Sequence, residues 1–193
     1  MGNKLRLDVD IQGASDLLKM RDFLNPKTLA KAQRGGISYA ARAGKVAVAK
    51  EIRARYNIPS ARVKQDVTGP SFGPGGTSAT LYLSRKPPSA LSYGGKDAGR
   101  GLTMKITRGG RAQRVRRGFI IKSGKLEGLP FRRVSTERDS RIAFVFGPSI
   151  GSLFAGQSDN AEVMQAAVNA RINEQFIKGM QRVLDSAARG YGR

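Results

Sequence analysis

The chain has no cysteine, no histidine and no tryptophan among its 193 residues. Without cysteine there is no disulfide, no zinc-thiolate site, no iron–sulfur cluster and no thiol redox motif. Without histidine there is no imidazole ligand, no Ser-His or Cys-His nucleophile pair and no imidazole acid or base. Acids are also scarce: 14 Asp and Glu stand against 35 Lys and Arg, a formal charge of +21. No apolar run approaches the roughly 18 residues that span a bilayer. Met1 to Asp10 alternates charge with leucine where a targeting leader would need an apolar stretch. Met1-Gly2 opens like a myristoylation signal, but Arg6 stands where that signal needs Ser or Thr. These absences predict a soluble, strongly basic protein with no membrane span. Its charge calls for an acidic partner: nucleic acid, an acidic protein surface or an anionic membrane surface.

What is present fits one domain over 1–193, long enough to bury about 70% of its unfolded surface. Residues 4–11 alternate, with Leu5, Leu7, Val9 and Ile11 on one face, and predict a half-buried strand. Ser15 is placed to cap a short helix carrying Leu17, Leu18, Met20 and Leu24. Asn25-Pro26 starts a long helix to about Tyr56, with the stripe Ile37, Ala41, Gly44, Val48, Ile52 and Tyr56. Gly35-Gly36 predicts a kink or break in it. Its small residues Ala40, Ala41, Ala43, Gly44 and Ala47 suit close packing on a core or on a neighbouring subunit. Ser60 to Val67 adds one helical turn, and Gly69 to Gly76 reads as a loop.

Strands are expected at 79–84, 102–106 and 118–123. Another is expected at 129–134, placed at an edge because of Pro130, and one more at 142–146, whose continuous apolar run predicts burial on both faces. Gly147-Pro148-Ser149 is expected as a structural turn, proline presetting φ and glycine freeing the position before it. Asp159 and Glu162, spaced as a capping box after Ser158, open a final helix with the stripe Met164, Val168, Ile172, Phe176, Met180 and Val183. Residues 189–193 are expected to fray. The fold class is α+β: an antiparallel sheet of five or six strands covered by two long helices, with residues 84–133 as a basic loop and strand extension.

Charge is concentrated in that extension. Residues 85–133 hold 14 bases against Asp97 and Glu127, so +12 of the +21 falls in 49 positions. Arg100, Lys105, Arg108, Arg111, Arg114, Arg116 and Arg117 form the candidate contact set for DNA or an acidic partner. Arg108 to Arg117, with Gly109, Gly110 and Gly118, reads as a flexible basic loop between two strands; the alternative is a solvated loop. No helix carries the Arg, Asn and Gln row that reads base edges, so contact would be indifferent to sequence. Arg117-Gly118-Phe119 mimics an RNA-recognition strand until Ile120 departs from it. Gly73-Pro74-Gly75-Gly76 lacks the Gly-Lys-Ser/Thr that completes a phosphate loop. Asp8 and Asp10 share a strand face and could approach a metal, but a polar edge-strand face accounts for them as well. No cofactor, metal site or catalytic residue is expected, and the chain reads as non-enzymatic.

Three stretches together resemble the minor tail protein Z family of tailed phages and prophages. They are Ala49 to Ile58 followed by Ala61-Arg62-Val63, Gly101 to Ile106 followed by a basic glycine turn and Gly118-Phe119-Ile120, and Phe146-Gly147-Pro148-Ser149-Ile150 followed by Leu153-Phe154. The likeness covers most of residues 30–185. The family continues its Gly-Pro-Ser-Ile with Pro-Gln-Met-Phe, where this chain has Gly151, Ser152, Leu153 and Phe154. The resemblance implies a virion protein of the tail neck, made in the bacterial host cytoplasm. It would complete the tail and help it join the capsid beside the terminator and connector proteins. It also implies several copies in a ring around the DNA passage, six by analogy with tail symmetry, with packaged DNA as a further partner. Two other readings stand beside it: a sequence-indifferent nucleic-acid-binding protein, and a tail-assembly factor absent from the finished virion.

Overall fold

In the computed structural model, residues 4–8, 25–76, 78–99, 101–137, 140–156 and 159–190 are described. The elements run in order β1 (Lys4–Asp8), α1 (Pro26–Arg55), α2 (Ser60–Asp66), β2 (Val67–Phe72), β3 (Ala79–Ser84), β4 (Lys96–Asp97), β5 (Leu102–Met104), β6 (Gln113–Val115), β7 (Gly118–Ile120), β8 (Pro130–Arg133), β9 (Ile142–Phe144), α3 (Ile150–Ala155) and α4 (Asp159–Gly190). The class is α+β, as expected, but the single large sheet is not there. The strands form three antiparallel sheets of three, in the orders β1-β3-β2, β4-β5-β6 and β7-β8-β9. The helix expected after Ser15 and the Ser158 cap lie outside the described residues, as do residues 9–11 of the first strand.

Nor do two helices share one sheet face. α1 lies between the β1-β3-β2 sheet and α4, and α4 packs chiefly on α1. Gly44 marks this sandwich: a methyl placed on it would lie 3.0 Å from Ile172 Cδ1 of α4 and 3.3 Å from Leu81 Cδ1 of β3. The Asn25 side chain accepts a hydrogen bond from the Lys27 amide at 2.9 Å and Pro26 takes the first turn, which settles where α1 begins. Ile37, Ala41, Gly44, Val48, Ile52 and Tyr56 are all buried, as are Met164, Val168, Ile172, Phe176 and Met180 of α4. Ala40, Ala41, Gly44 and Ala47 are spent on this core, so the small-residue face is not an exposed docking surface.

The expected break at Gly35-Gly36 is absent, and α1 runs through it. A methyl on Gly36 would stand 2.6 Å from Met180 Cγ and 2.8 Å from Phe176 Cδ2, and one on Gly35 would stand 2.7 Å from Val183 Cγ2. A methyl on Gly179 would reach 3.0 Å from Gly36 Cα. The glycines let two helix backbones approach, and the packing they permit offsets their poor helix propensity.

Other expectations also give way. Gly69 to Gly76 is not all loop: β2 takes residues up to Phe72, and its pairing with β3 slips between Thr68 and Ser71, around Gly69 at φ +103°. A bulge on an edge strand tolerates both glycine and proline. Pro130 opens the central strand β8, not an edge; as the first residue of the strand it forfeits little, and its carbonyl accepts from the Val145 amide at 3.0 Å. β9 is an edge strand and is not buried on both faces. Ile142 and Phe146 are about half exposed, and only Val145 turns into a core, joining Ala90 and Leu102. Its apolar run is explained by ring stacking on one face: Phe131 meets Phe144 edge-on at 5.2 Å and Phe144 meets Phe146 at 4.6 Å. Met104 packs against both this small core and the main one, tying the outer sheets to the helical body.

Gly147-Pro148-Ser149 forms an irregular link between β9 and α3, not the expected turn, and the need for glycine there is one of space. Gly147 does not have a positive φ. A methyl on it would lie 2.3 Å from Cδ2 and Cε2 of Tyr93, whose hydroxyl donates to the Pro148 carbonyl at 2.6 Å. Ser149 caps α3, accepting from the Ser152 amide at 3.1 Å; the long α4 comes only after this extra helix.

Candidate functional site

The candidate basic set does not act as one loop. Within the segment read as flexible, Gln113, Arg114 and Val115 form β6 and pair with Met104, Thr103 and Leu102 of β5. The strand was hidden because only Val115 among its three residues is apolar. The paired strand and a backbone tether then divide the arginines between two places.

Arg114, Arg116 and Arg117 converge with Arg132, Arg133 and Val134 on an open groove of about 580 Å³. Its architecture follows from strand pairing. β6 delivers Arg114, and a two-residue turn holds Arg116 and Arg117 as the chain crosses from the second sheet to the third. Gly118 pairs with Arg132, and the Arg117 carbonyl accepts from the Arg133 amide at 3.1 Å. The Arg133 guanidinium lies 5.8 Å from the Phe119 ring centre, a cation–π distance. Arg117 itself sits at φ +57°, the only non-glycine residue with positive φ among those described. A side chain held there costs about 1–2 kcal/mol, so the turn is maintained at the expense of stability where the charges gather. Among the described residues no carboxylate lines this groove.

Arg108 goes elsewhere. Its amide donates to the Arg55 carbonyl at 2.8 Å, the Asn57 amide donates to the Ile106 carbonyl at 2.8 Å, and Thr107 bridges to Tyr56. This tether satisfies a carbonyl at the C-terminus of α1, which would otherwise lack a helical partner. It brings Arg108 to a second groove, of about 670 Å³, with Lys45, Lys50 and Arg53 of α1 and Lys64 of α2. Val46, Ala49 and Ala54 supply its apolar wall, and among the described residues no carboxylate lines it. Glu51 is turned to Arg55, and Asp66 accepts from Arg62 Nε at 2.8 Å, so the nearest acids of α1 and α2 have cations of their own.

Of the remaining candidates, Arg111 is exposed and lines neither groove. Lys105 is half-buried, its amide donating to the Tyr93 carbonyl at 3.0 Å. Arg100 lies outside the described residues. Arg132 and Arg133 were not among the candidates. Their only sequence signal is a doublet, and it takes the β7–β8 register to place it beside Arg116 and Arg117. Lys45, Lys50, Arg53 and Lys64 form no motif in the sequence; the packing of α2 on α1 and the Arg108 tether bring them together.

Tyr93 is the fixed point behind the extension. It is fully buried, and burial pushes its phenol well above its ordinary value, with the negative charge of Asp66 adding to the effect. It stays a neutral donor to Pro148 throughout the physiological range.

Set against protein-family models, curated proteins and solved structures, the chain matches none. Among the described residues no helix is long and apolar enough to cross a membrane.

Proposed function

We propose that the chain is a structural protein of the phage tail neck. It completes the head-proximal end of the tail and helps it join the capsid connector, as one subunit of a ring around the DNA passage. The observation that carries the reading is the groove of Arg114, Arg116, Arg117, Arg132 and Arg133, five arginines that strand pairing gathers around one opening. Such a surface suits phosphates presented without regard to sequence. The three stretches that resemble the minor tail protein Z family supply the setting. A ring needs two unlike faces on each subunit. The edge strand β9, with Ile142 and the following Phe146 about half exposed, and the arginine groove are unlike surfaces that suit this requirement. In this role the chain does no chemistry; it binds and is bound.

The test is location. Mass spectrometry of purified tailed particles should find the chain, and an electron cryomicroscopy map should place several copies at the neck, with the arginine groove toward the axis. Absence from the particle, or a single copy per tail, refutes the reading. The same arginine groove also supports the sequence-indifferent nucleic-acid-binding reading, and the dependence of duplex affinity on salt tests whether the groove meets phosphate. If five phosphate contacts are made, log–log plots of duplex affinity against salt should lose about 0.9 in slope for each arginine changed to glutamine. A five-fold glutamine variant that folds, assembles and packages normally returns the groove to plain solvent exposure.

A further inference from the structure

The second groove differs from the first in kind. Among the described residues the arginine groove has one apolar residue in its lining, Val134. The groove at α1 and α2 has a wall of Val46, Ala49 and Ala54, flanked by Lys45, Lys50, Arg53, Lys64 and Arg108. Val46 is 68% exposed, on a helix whose opposite face is core. Val46, Ala49, Lys50 and Arg53 stand at i, i+3, i+4 and i+7 and so share one face over two turns, about 11 Å of helix. The tether from Arg108 to Arg55 closes the end of that face with a further cation.

We infer that this groove seats an acidic amphipathic helix of a partner protein. Phosphate would leave the valine wall unused and pressed against anions. An apolar ligand without charge would leave five cations crowded and uncompensated. A helix with Leu or Ile on one stripe and Asp or Glu beside it satisfies both halves, its apolar stripe on Val46 and Ala49 and its carboxylates toward the Lys and Arg rim. The inference rests on this groove alone and goes beyond the neck assignment. It separates a protein-docking side from the phosphate-binding side.

The experiment uses the full chain and two probes: a fluorescent 15-residue helical peptide with a leucine stripe flanked by glutamates, and a 20-base-pair duplex. Fluorescence anisotropy should show the peptide binding in the micromolar range. A peptide of the same charge with the leucines replaced by glutamine should bind at least tenfold more weakly. Val46→Gln leaves the net charge unchanged and removes the apolar contact; it should weaken the leucine peptide about tenfold and the duplex less than twofold. Its melting temperature should match that of the parent, which establishes that the exposed position was not holding the fold. Arg53→Gln with Lys64→Gln should weaken the peptide further and flatten its loss with salt, since two ionic contacts are gone. The inference is overturned if the leucine peptide does not bind, if Val46→Gln leaves its affinity unchanged, or if duplex competes for the site and loses affinity equally in that variant. Sedimentation showing self-association abolished by Val46→Gln would also overturn it, by naming a second copy of the chain as the occupant.

Discussion

Gly147→Ala adds one methyl group at a position whose backbone any residue can adopt. The structure nonetheless predicts a large effect. The added carbon would stand 2.3 Å from two ring carbons of Tyr93, against about 3.5–4.0 Å for ordinary carbon contact. The ring or the backbone at Gly147 must therefore move by more than an ångström. Tyr93 is fully buried, and its hydroxyl is held at 2.6 Å by the Pro148 carbonyl, so any shift of the ring disturbs its core neighbours and this bond. Overpacking of this kind costs about 1–3 kcal/mol, and breaking the buried hydrogen bond adds about 1 kcal/mol. For a chain of this length each kcal/mol lowers Tm by about 2–4 °C, so the variant should melt roughly 5–15 °C below the parent. A thermal melt followed by circular dichroism measures it. The control is Tyr93→Leu, itself destabilising, in whose background Gly147→Ala should cost less than about 1 kcal/mol because the two residues are in contact and their effects do not add. An alanine variant melting within a degree of the parent, or an equal cost in both backgrounds, would refute the steric argument.

Three further outcomes are expected. Tyr93→Phe should destabilise by about 1–2 kcal/mol at neutral pH by leaving the Pro148 carbonyl without its donor. Because the phenol is raised in the folded state, its contribution is complete below about pH 10 and is lost as pH rises toward the folded value; urea melts from pH 8 to 11 should show the gap to parent closing, and a gap that widens reverses the sign. Gly36→Ala should lower Tm even though alanine is the better helix former by about 1 kcal/mol, since its methyl would meet Met180 and Phe176; a rise in Tm would show that α1 and α4 are not in close contact there. Arg117→Gly should stabilise by about 1 kcal/mol by relieving a positive φ while weakening duplex binding, and Arg117→Ala should weaken binding without the gain in Tm; equal melting temperatures for the two would deny the strain.

Much of the helical body was legible in the chain itself. Asn25-Pro26 marks a helix start by chemistry that needs no tertiary partner, and the stripes of α1 and α4 are periodicities that only a buried helix face explains. The alternation of Ala79, Leu81 and Leu83 is likewise local, and each of the three is buried. The density of charge in residues 85–133 is arithmetic. What failed were judgements about what a residue meets across space. Gly35-Gly36 reads as a break unless Met180 and Phe176 are known to press on it, and Gly147 reads as a backbone device unless Tyr93 is known to lie over it. β2 and β6 are polar or glycine-rich segments that become strands because a neighbour offers its hydrogen bonds. The division of the basic segment into two surfaces is the clearest case. Arg108 and Arg114 are six positions apart, yet one is tied to the end of α1 and the other is carried by β6 to the groove of Arg132 and Arg133. Composition fixes how much positive charge this protein carries, because charge is a property of residues. Strand register and one backbone hydrogen bond decide on which face, because those are properties of pairs.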